Sequence, residues 1–101
     1  MSKRAVVRRL AAVLIADAVG YSSRMTDDEM RTHQQFTSDM DSVFRPLIDS
    51  HGGRLIKKTG DGFLALFDSA VQAVECATGM QRRMKERLAA LPQEQRMPYR
   101  M

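Results

Sequence analysis

Two aspartates in this 101-residue chain occupy positions from which carboxylates can do chemistry. Asp17 directly follows an apolar run, and Asp61 lies between Gly60 and Gly62 at the tip of a predicted hairpin. If their strands are neighbours, the two acids lie close together, and a divalent cation relieves their repulsion. Oxygen ligands alone favour Mg²⁺, Mn²⁺ or Ca²⁺ over Zn²⁺. A simpler interpretation remains open, because Asp-Gly is a common turn and an aspartate after a strand often caps a helix.

A short segment after Asp17 could bind phosphate. Gly20, Tyr21 and Ser22 form a turn-like passage that precedes a predicted helix. Backbone amides in such a turn could hold phosphate oxygens. One glycine is a weak signal, and the segment is not a Walker-type loop.

Two neighbouring lysines lie within a predicted strand. Strand alternation places Lys57 on the face of Leu55 and Thr59, and Lys58 on the face of Ile56. At least one of the two lysines should therefore approach a covered face or a cleft. The alternative is an edge strand that uses lysine as protection against aggregation.

The predicted elements that position these residues begin with a strand and a helix. The run from Leu10 to Ala16 is apolar on both alternating faces, which predicts a strand buried on both sides. Thr26 and Glu29 have the spacing of a capping box, with Thr26 as the N-cap of a helix. Pro46 should kink or restart that helix, and residues 51–53 should end it through a glycine cap.

A hairpin and a second long helix follow. Residues 54–59 and 63–67 are predicted as its two strands, joined by the Gly-Asp-Gly turn. Asp68 or Ser69 should cap the second helix, which should stop before Pro92. Residues 97–101 are typical of the entrance to another strand, so the order is β, α, β, β, α and a further strand. We therefore expect the chain to be part of a longer domain.

Composition and charge narrow the class of protein. Apolar residues make up 44% and charged residues 28%, which is typical of a globular domain. No apolar run reaches 18 residues, and the first ten residues lack a signal-peptide pattern. The single cysteine, Cys76, cannot form an internal disulfide, so we expect a cytoplasmic protein. The net charge is +4, with four cations in a predicted basic arm over residues 1–9.

Three stretches together resemble the catalytic domain of the class III adenylate/guanylate cyclases of bacterial type. They are residues 9–22, residues 51–63 and the weaker helical stretch 70–77. The resemblance covers nearly the whole chain, and the pairing of the first two stretches at this separation is specific. It implies an α+β fold, the ferredoxin-like βαββα(β) portion of the cyclase fold, with residues 1–101 as the N-terminal part of the domain.

The resemblance also implies the chemistry, which is conversion of ATP to 3′,5′-cyclic AMP and pyrophosphate with two Mg²⁺ or Mn²⁺ ions per site. By motif position Asp17 and Asp61 would bind the metals, with the Ala18 carbonyl as a further ligand. The amides of residues 20–22 would hold the triphosphate. Lys57 matches the position that reads the purine, where lysine indicates adenine. In this family the sites form at a head-to-tail dimer interface, so a homodimer or a partner cyclase domain is implied.

Other functions remain open at this point. The asparagine and arginine that the family uses at the ribose and the transition state lie downstream of the matched stretches. We therefore expect the chain alone to be inactive and prone to self-association. One alternative is a non-catalytic cyclase-like module that acts by dimerising with a complete partner. Another is a ferredoxin-like RNA-binding domain, but the hairpin lacks the aromatic and basic pattern for base stacking, so no nucleic-acid partner is expected.

Overall fold

The computed structural model describes residues 11–101, so the predicted basic arm over residues 1–9 lies outside the described residues. The elements follow one another in the order β1 (Ala12–Ala18), α1 (Tyr21–Asp27), α2 (Glu29–Asp39), a π-helical turn (Met40–Phe44), α3 (Arg45–Ser50), β2 (Arg54–Lys58), β3 (Gly62–Phe67), α4 (Ala70–Ala89), a 3₁₀ turn (Gln93–Gln95) and β4 (Tyr99–Arg100). This order confirms the predicted α+β fold class, including the strand entrance at residues 99–100.

The four strands form one antiparallel sheet in the order β2-β3-β1-β4. The central pair, β1 and β3, runs from Ala12 opposite Phe67 to Asp17 opposite Gly62. The short β4 pairs with the end of β1, where Arg100 lies opposite Asp17. The sheet thus brings the ends of three strands together around Asp17.

One face of the sheet packs against the helices, and we call it the inner face. Its buried sheet residues are Leu14, Ala16, Ala18, Phe63, Ala65 and Phe67. The helices cover them with Phe36, Met40, Phe44, Cys76, Met80 and Met84, all buried. Ala73, Cys76, Met80 and Met84 form the buried stripe of α4, and their burial stabilises the helix against the sheet.

The opposite face, which we call the outer face, corrects the prediction for the first strand. That strand was expected to be buried on both sides, but Val13 and Ile15 are 52% and 58% exposed. Their partners across the ladder, Leu66 and Leu64, are half-buried. The strand is apolar on both faces, but the helices of residues 11–101 pack on only one side of the sheet.

A β-bulge in β2 corrects the predicted faces of the two lysines. Leu55 lies opposite the buried Ala65, whereas Lys57 lies opposite Leu64, with the register shift between them. Lys57 therefore shares the outer face and not the face of Leu55. Lys58 lies opposite Phe63, on the inner face. A bulge adds one residue to a strand, so strict alternation fails on either side of it.

The segment after β1 also differs from the prediction. Residues 21–27 form helix α1, and Thr26 lies inside it, so Thr26 is not the cap of the following helix. Asp28 is the N-cap of α2, and its carboxylate accepts a hydrogen bond from the Arg31 amide at 3.0 Å. Of the two candidates for the cap of α4, the structure selects Ser69, whose hydroxyl accepts from the Gln72 amide. Both caps satisfy an amide that the first helical turn leaves free.

The helix was predicted to kink or restart at Pro46, but its backbone remains helical from α2 through α3. A π-helical turn of residues 40–44 precedes α3, and Pro46 lies within the first two positions of α3, where its missing N–H is tolerated. The predicted glycine cap is confirmed at Gly52, which has a φ of 72°.

Candidate functional site

The structure brings the backbones of Asp17 and Asp61 together at one end of the sheet. The Ala18 amide donates a hydrogen bond to the Asp61 carbonyl oxygen at 2.8 Å. Asp17 lies opposite Gly62 in the β1–β3 ladder, and Gly62 directly follows Asp61. We call this place, where the end of β1 meets the start of β3, the junction. The backbones of the two predicted acids are therefore neighbours across adjacent strands.

Gly62 is what allows this approach. A Cβ atom added at Gly62 would collide with the Ala16 carbonyl oxygen and would lie 3.0 Å from the Asp17 Cα. Because backbone atoms cannot move aside as a flexible side chain can, only glycine fits here. The glycine of the Asp-Gly turn thus fixes the spacing between β1 and β3 beside Asp17.

The two carboxylates have different neighbours. Asp61 accepts a hydrogen bond from the Thr59 hydroxyl at 3.2 Å, and its own carboxylate is partly exposed. Asp17 accepts from Nε of Arg100 at 3.0 Å, with side-chain exposures of 44% for Asp17 and 72% for Arg100. An exposed pair of this kind contributes little stability, so either carboxylate can exchange its partner for a cation.

Arg100 is a site residue that sequence reasoning missed. Residues 97–101 were predicted as the entrance to a strand, and no role was given to Arg100. Alternation along such a strand indicates which side chains share a face, but it does not reveal which strand is the neighbour. The pairing of β4 with the end of β1 is a tertiary feature, and it alone places a cation beside Asp17.

The predicted phosphate-binding segment lies at the start of α1. Gly20 precedes the helix with a φ of 72°, a left-handed conformation that favours glycine. Tyr21 and Ser22 are the first two residues of α1, so their amides belong to the turn that has no acceptors within the helix. The Tyr21 ring packs edge-on against Phe36. Burial raises the pKa of Tyr21, and the nearby negative charge of Asp61 raises it further.

Lys57 lies on the same face as Asp17 but at a distance from it. Lys57 is opposite Leu64, Leu64 is opposite Ile15, and Asp17 is two residues further along β1. Two strand spacings give about 10 Å across the sheet, and two residues give about 7 Å along it. Lys58 instead holds its ammonium group 5.7 Å from the centre of the Phe36 ring on the inner face. Within a single chain, the predicted base-reading lysine therefore lies apart from the predicted metal ligands.

The residues at the junction offer ligands that suit a hard divalent cation, and other ligands would complete its coordination. The donors are two carboxylates and the adjacent backbone, all oxygen, which suits Mg²⁺ or Mn²⁺. Residues 11–101 hold no cluster of three or more histidine, cysteine, aspartate or glutamate side chains that could bind a metal ion. Mg²⁺ commonly uses one or two carboxylates together with substrate phosphates and water, so a two-carboxylate site is sufficient.

A second group of polar residues lies inside the protein, close to β4. Asp39 is 3% exposed and accepts hydrogen bonds from the Tyr99 hydroxyl at 2.8 Å and from Nη2 of Arg87 at 3.0 Å. Burial raises the pKa of Asp39, although the bonds from Tyr99 and Arg87 oppose that effect. Burial and the charge of Asp39 raise the pKa of Tyr99. No local pattern singles out this cluster, because its members are 12 to 60 residues apart in the sequence.

None of the helices within residues 11–101 combines the length and apolarity that a membrane span requires. No profile of a known protein family matches the chain.

Two curated proteins are similar to the chain in sequence. "Putative adenylate cyclase 3" of Rhizobium meliloti (strain 1021) is 46% identical over 101 residues, which is the whole of this chain and 17% of that protein. Serine/threonine-protein kinase pkn2 of Myxococcus xanthus is 28% identical over 89 residues, which is 88% of this chain and 11% of the kinase. The chain thus spans less than a fifth of the length of these relatives.

Three solved structures are similar to it in fold. The adenylate/guanylate cyclase/hydrolase from Silicibacter pomeroyi has a TM-score of 0.76 and 33% identity, covering 90% of this chain and 56% of that one. The guanylyl cyclase Cya2 (TM-score 0.72, 22% identity) and a bacterial light-regulated adenylyl cyclase (0.76, 14%) each cover 88% of this chain and about half of their own. In sequence and fold, the chain thus belongs to the class III adenylate/guanylate cyclase family and corresponds to a part of the cyclase domain.

Proposed function

We propose that this chain supplies the metal- and triphosphate-binding part of an adenylate cyclase that converts ATP to 3′,5′-cyclic AMP and pyrophosphate. The observation that carries the proposal is the junction of Asp17 and Asp61, held by the 2.8 Å bond between the Ala18 amide and the Asp61 carbonyl oxygen. The relationship to adenylate/guanylate cyclases supports it.

The residues at this junction have distinct roles in the proposed reaction. Asp17, Asp61 and the Ala18 carbonyl would hold two Mg²⁺ or Mn²⁺ ions. Such ions favour ionisation of the ribose 3′-hydroxyl and neutralise charge on the triphosphate. The 3′-oxygen would form a bond to the α-phosphorus, the bond to the departing pyrophosphate would break, and the hydroxyl proton would pass to solvent water. The amides of Gly20, Tyr21 and Ser22, at the start of α1, would hold phosphate oxygens near these ligands.

Lys57 would select the base. Its ammonium group can donate hydrogen bonds but cannot accept one, so it suits an unprotonated ring nitrogen of adenine. The N1 of guanine carries a proton and would oppose another donor. The β-bulge supports this role, because it turns Lys57 onto the outer face, where it is exposed.

A second copy of the chain would complete the site. Within one chain Lys57 and Asp17 lie on the same outer face but are separated by β3. That face also carries the exposed apolar side chains Val13 and Ile15. A head-to-tail pair of chains would bury these side chains and place Lys57 of one copy towards Asp17 of the other. Such a homodimer would have two equivalent sites.

The metal site can be tested directly by binding. Electron paramagnetic resonance of Mn²⁺, with and without ATP, should show binding to the protein, and Asp17→Asn or Asp61→Asn should weaken it at least tenfold. Asp49→Asn is the matched control, because Asp49 is an exposed aspartate on α3, away from the junction. Near-normal Mn²⁺ binding in both junction variants would contradict the proposal. In a cyclase domain that contains this chain, the same two variants should abolish formation of cyclic AMP.

One observation favours a second candidate, a cyclase-like module that dimerises without catalysis. Arg100 pairs with Asp17 at 3.0 Å, at the position where a metal ion would otherwise balance the charge of this carboxylate. The binding measurement separates the two candidates, since a module of this kind would bind no Mn²⁺ at the junction, with or without ATP.

A further inference from the structure

The ion pair at the candidate metal site is joined to the buried carboxylate of Asp39 by two consecutive residues of β4. Tyr99 points to the inner face, where it is 6% exposed and its hydroxyl donates to Asp39 Oδ2 at 2.8 Å. Arg100 points to the outer face and donates from Nε to Asp17 Oδ1 at 3.0 Å. Because side chains alternate along a strand, these two consecutive residues contact one carboxylate on each side of the sheet.

The strand between these carboxylates has little support of its own. β4 is two residues long and pairs only with the end of β1. Two residues make few ladder bonds, and strand ends open readily. The residues just before β4 are anchored, because the Val19 amide donates to the Pro98 carbonyl oxygen at 2.8 Å and Met97 is fully buried. Within β4 itself the anchoring side chain is that of Tyr99, whose ring packs edge-on against Phe44 with ring centres 4.9 Å apart.

The buried end of the connection is rigid. Asp39 Oδ1 accepts from both Nε and Nη2 of Arg87, at 3.2 and 3.0 Å, so both carboxylate oxygens are occupied. Arg87 Nη2 also donates to the Ser38 hydroxyl at 3.2 Å. Hydrogen bonds to an ionised group are stronger than neutral ones, and donors on both oxygens hold the carboxylate in place. The Tyr99 hydroxyl thus meets an acceptor that α4 holds in place.

We infer that Asp39 and Tyr99 are positioning residues, which hold β4 so that the guanidinium group of Arg100 stays on Asp17. The consequence for the site is a competition, because a cation that approaches Asp17 must displace Arg100. The positioning role is the first step and concerns only residues of this chain. The competition is the second step, and it rests on the metal binding proposed above. Loosening Tyr99 should therefore free Arg100 and strengthen cation binding.

The first step has a readout that does not involve a metal. The Nε proton of Arg100 exchanges with solvent slowly while it is bonded to Asp17, and nuclear magnetic resonance measures its exchange rate. Tyr99→Phe removes one hydroxyl and keeps the ring. It should raise that rate about three- to tenfold, the range that loss of one net hydrogen bond allows. Asp39→Asn keeps an acceptor for Tyr99, so it should raise the rate less than Asp39→Ala does.

A matched control excludes a general loss of stability. Ile48→Val removes one methylene from a fully buried residue of α3, which destabilises the core modestly without touching β4. It should leave the exchange rate of the Arg100 Nε proton unchanged. If Tyr99→Phe changes this rate no more than Ile48→Val does, the positioning role is wrong.

The second step is tested by a double-mutant cycle on Mn²⁺ binding. Tyr99→Phe and Arg100→Ala should each tighten Mn²⁺ binding about two- to fivefold, as removal of a weak exposed ion pair allows. Because both act through the same guanidinium group, Tyr99→Phe should have no further effect in the Arg100→Ala background. Independent, multiplying effects would contradict the inference. If Tyr99→Phe speeds proton exchange but no form of the protein binds Mn²⁺, the proposed metal site is wrong and the positioning role is supported.

Discussion

Gly62 lies directly opposite Asp17 in the ladder between β1 and β3, and its missing side chain is what lets the two strands approach. An added Cβ atom would meet the Ala16 carbonyl oxygen, which belongs to the backbone of the neighbouring strand. The geometry of the candidate metal site therefore depends on a residue that has no functional group. This gives the turn glycine a role distinct from that of Gly60, where an added Cβ atom meets nothing within 4 Å.

The first prediction compares these two glycines. Gly62→Ala should push β3 away from β1, lower the free energy of unfolding by about 1–3 kcal/mol and weaken Mn²⁺ binding. Gly60→Ala should change neither quantity appreciably, because open space surrounds it. Urea unfolding and Mn²⁺ titration of both variants provide the measurement. Equal tolerance of alanine at the two positions would show that the strands do not approach as closely as described.

The second prediction concerns base choice and uses the two lysines of β2. Lys57→Glu should lower turnover of ATP in a cyclase domain that contains this chain, and admit some turnover of GTP, because it replaces a donor by an acceptor. Lys58→Glu should affect base preference less, since Lys58 lies on the inner face beside Phe36. Rates with ATP and GTP for both variants are the measurement. A larger change in the ATP-to-GTP ratio for Lys58→Glu would reverse the assignment.

These two lysines also show how much of the structure could be predicted from the sequence. The fold class, the hairpin and the positions of Asp17 and Asp61 could be predicted, since they follow from local apolar patterns, turn residues and resemblance. The face of Lys57 could not, because the bulge that reverses it lies within an ordinary run of strand-forming residues. Nor could the contact of Arg100 with Asp17, because strand pairing between residues 83 positions apart leaves no local signal.

Helix caps illustrate the same limit on a smaller scale. Thr26 and Glu29 have capping-box spacing, yet the structure uses Asp28 as the cap and places Thr26 inside α1. Both threonine and aspartate can cap a helix, so local preference alone does not decide between neighbouring candidates.

The third prediction follows from the raised pKa of Asp39. Burial raises the pKa of this carboxyl above its ordinary value of 3.8, so the folded state binds its proton more tightly than the unfolded state does. The resulting stabilisation is full below about pH 3.8 and is lost as the pH rises through the folded-state pKa. The unfolding free energy of the wild type, minus that of Asp39→Asn, should therefore fall as the pH rises.

Urea unfolding of both proteins between pH 3.5 and pH 7 would check this sign. Asp49→Asn serves as the control, because Asp49 is exposed and its removal should leave the pH profile unchanged. A difference that grows with pH would mean that the bonds from Tyr99 and Arg87 outweigh burial, and that the pKa of Asp39 is lowered.

The last prediction concerns self-association through the outer face. Val13 and Ile15 are more than half exposed and lie beside the half-buried Leu64 and Leu66, so the face presents a continuous apolar surface. Surfaces of this kind usually mark a contact with another chain. Charged side chains of opposite sign lie at its edges, Lys57 on β2 and Asp17 at the end of β1. A head-to-tail pair of chains would satisfy both features at once.

Ile15→Glu should therefore reduce association, because it places a charge at the centre of this surface. Val71→Glu is the matched control, since Val71 is 65% exposed but lies on α4, away from the sheet face. Size-exclusion chromatography with light scattering, at several protein concentrations, measures the mass of each form. The expected result is a wild type and Val71→Glu that associate as the concentration rises, and an Ile15→Glu form that stays smaller. If Val71→Glu breaks the association and Ile15→Glu does not, chains associate through α4, and the site cannot be completed across the sheet face.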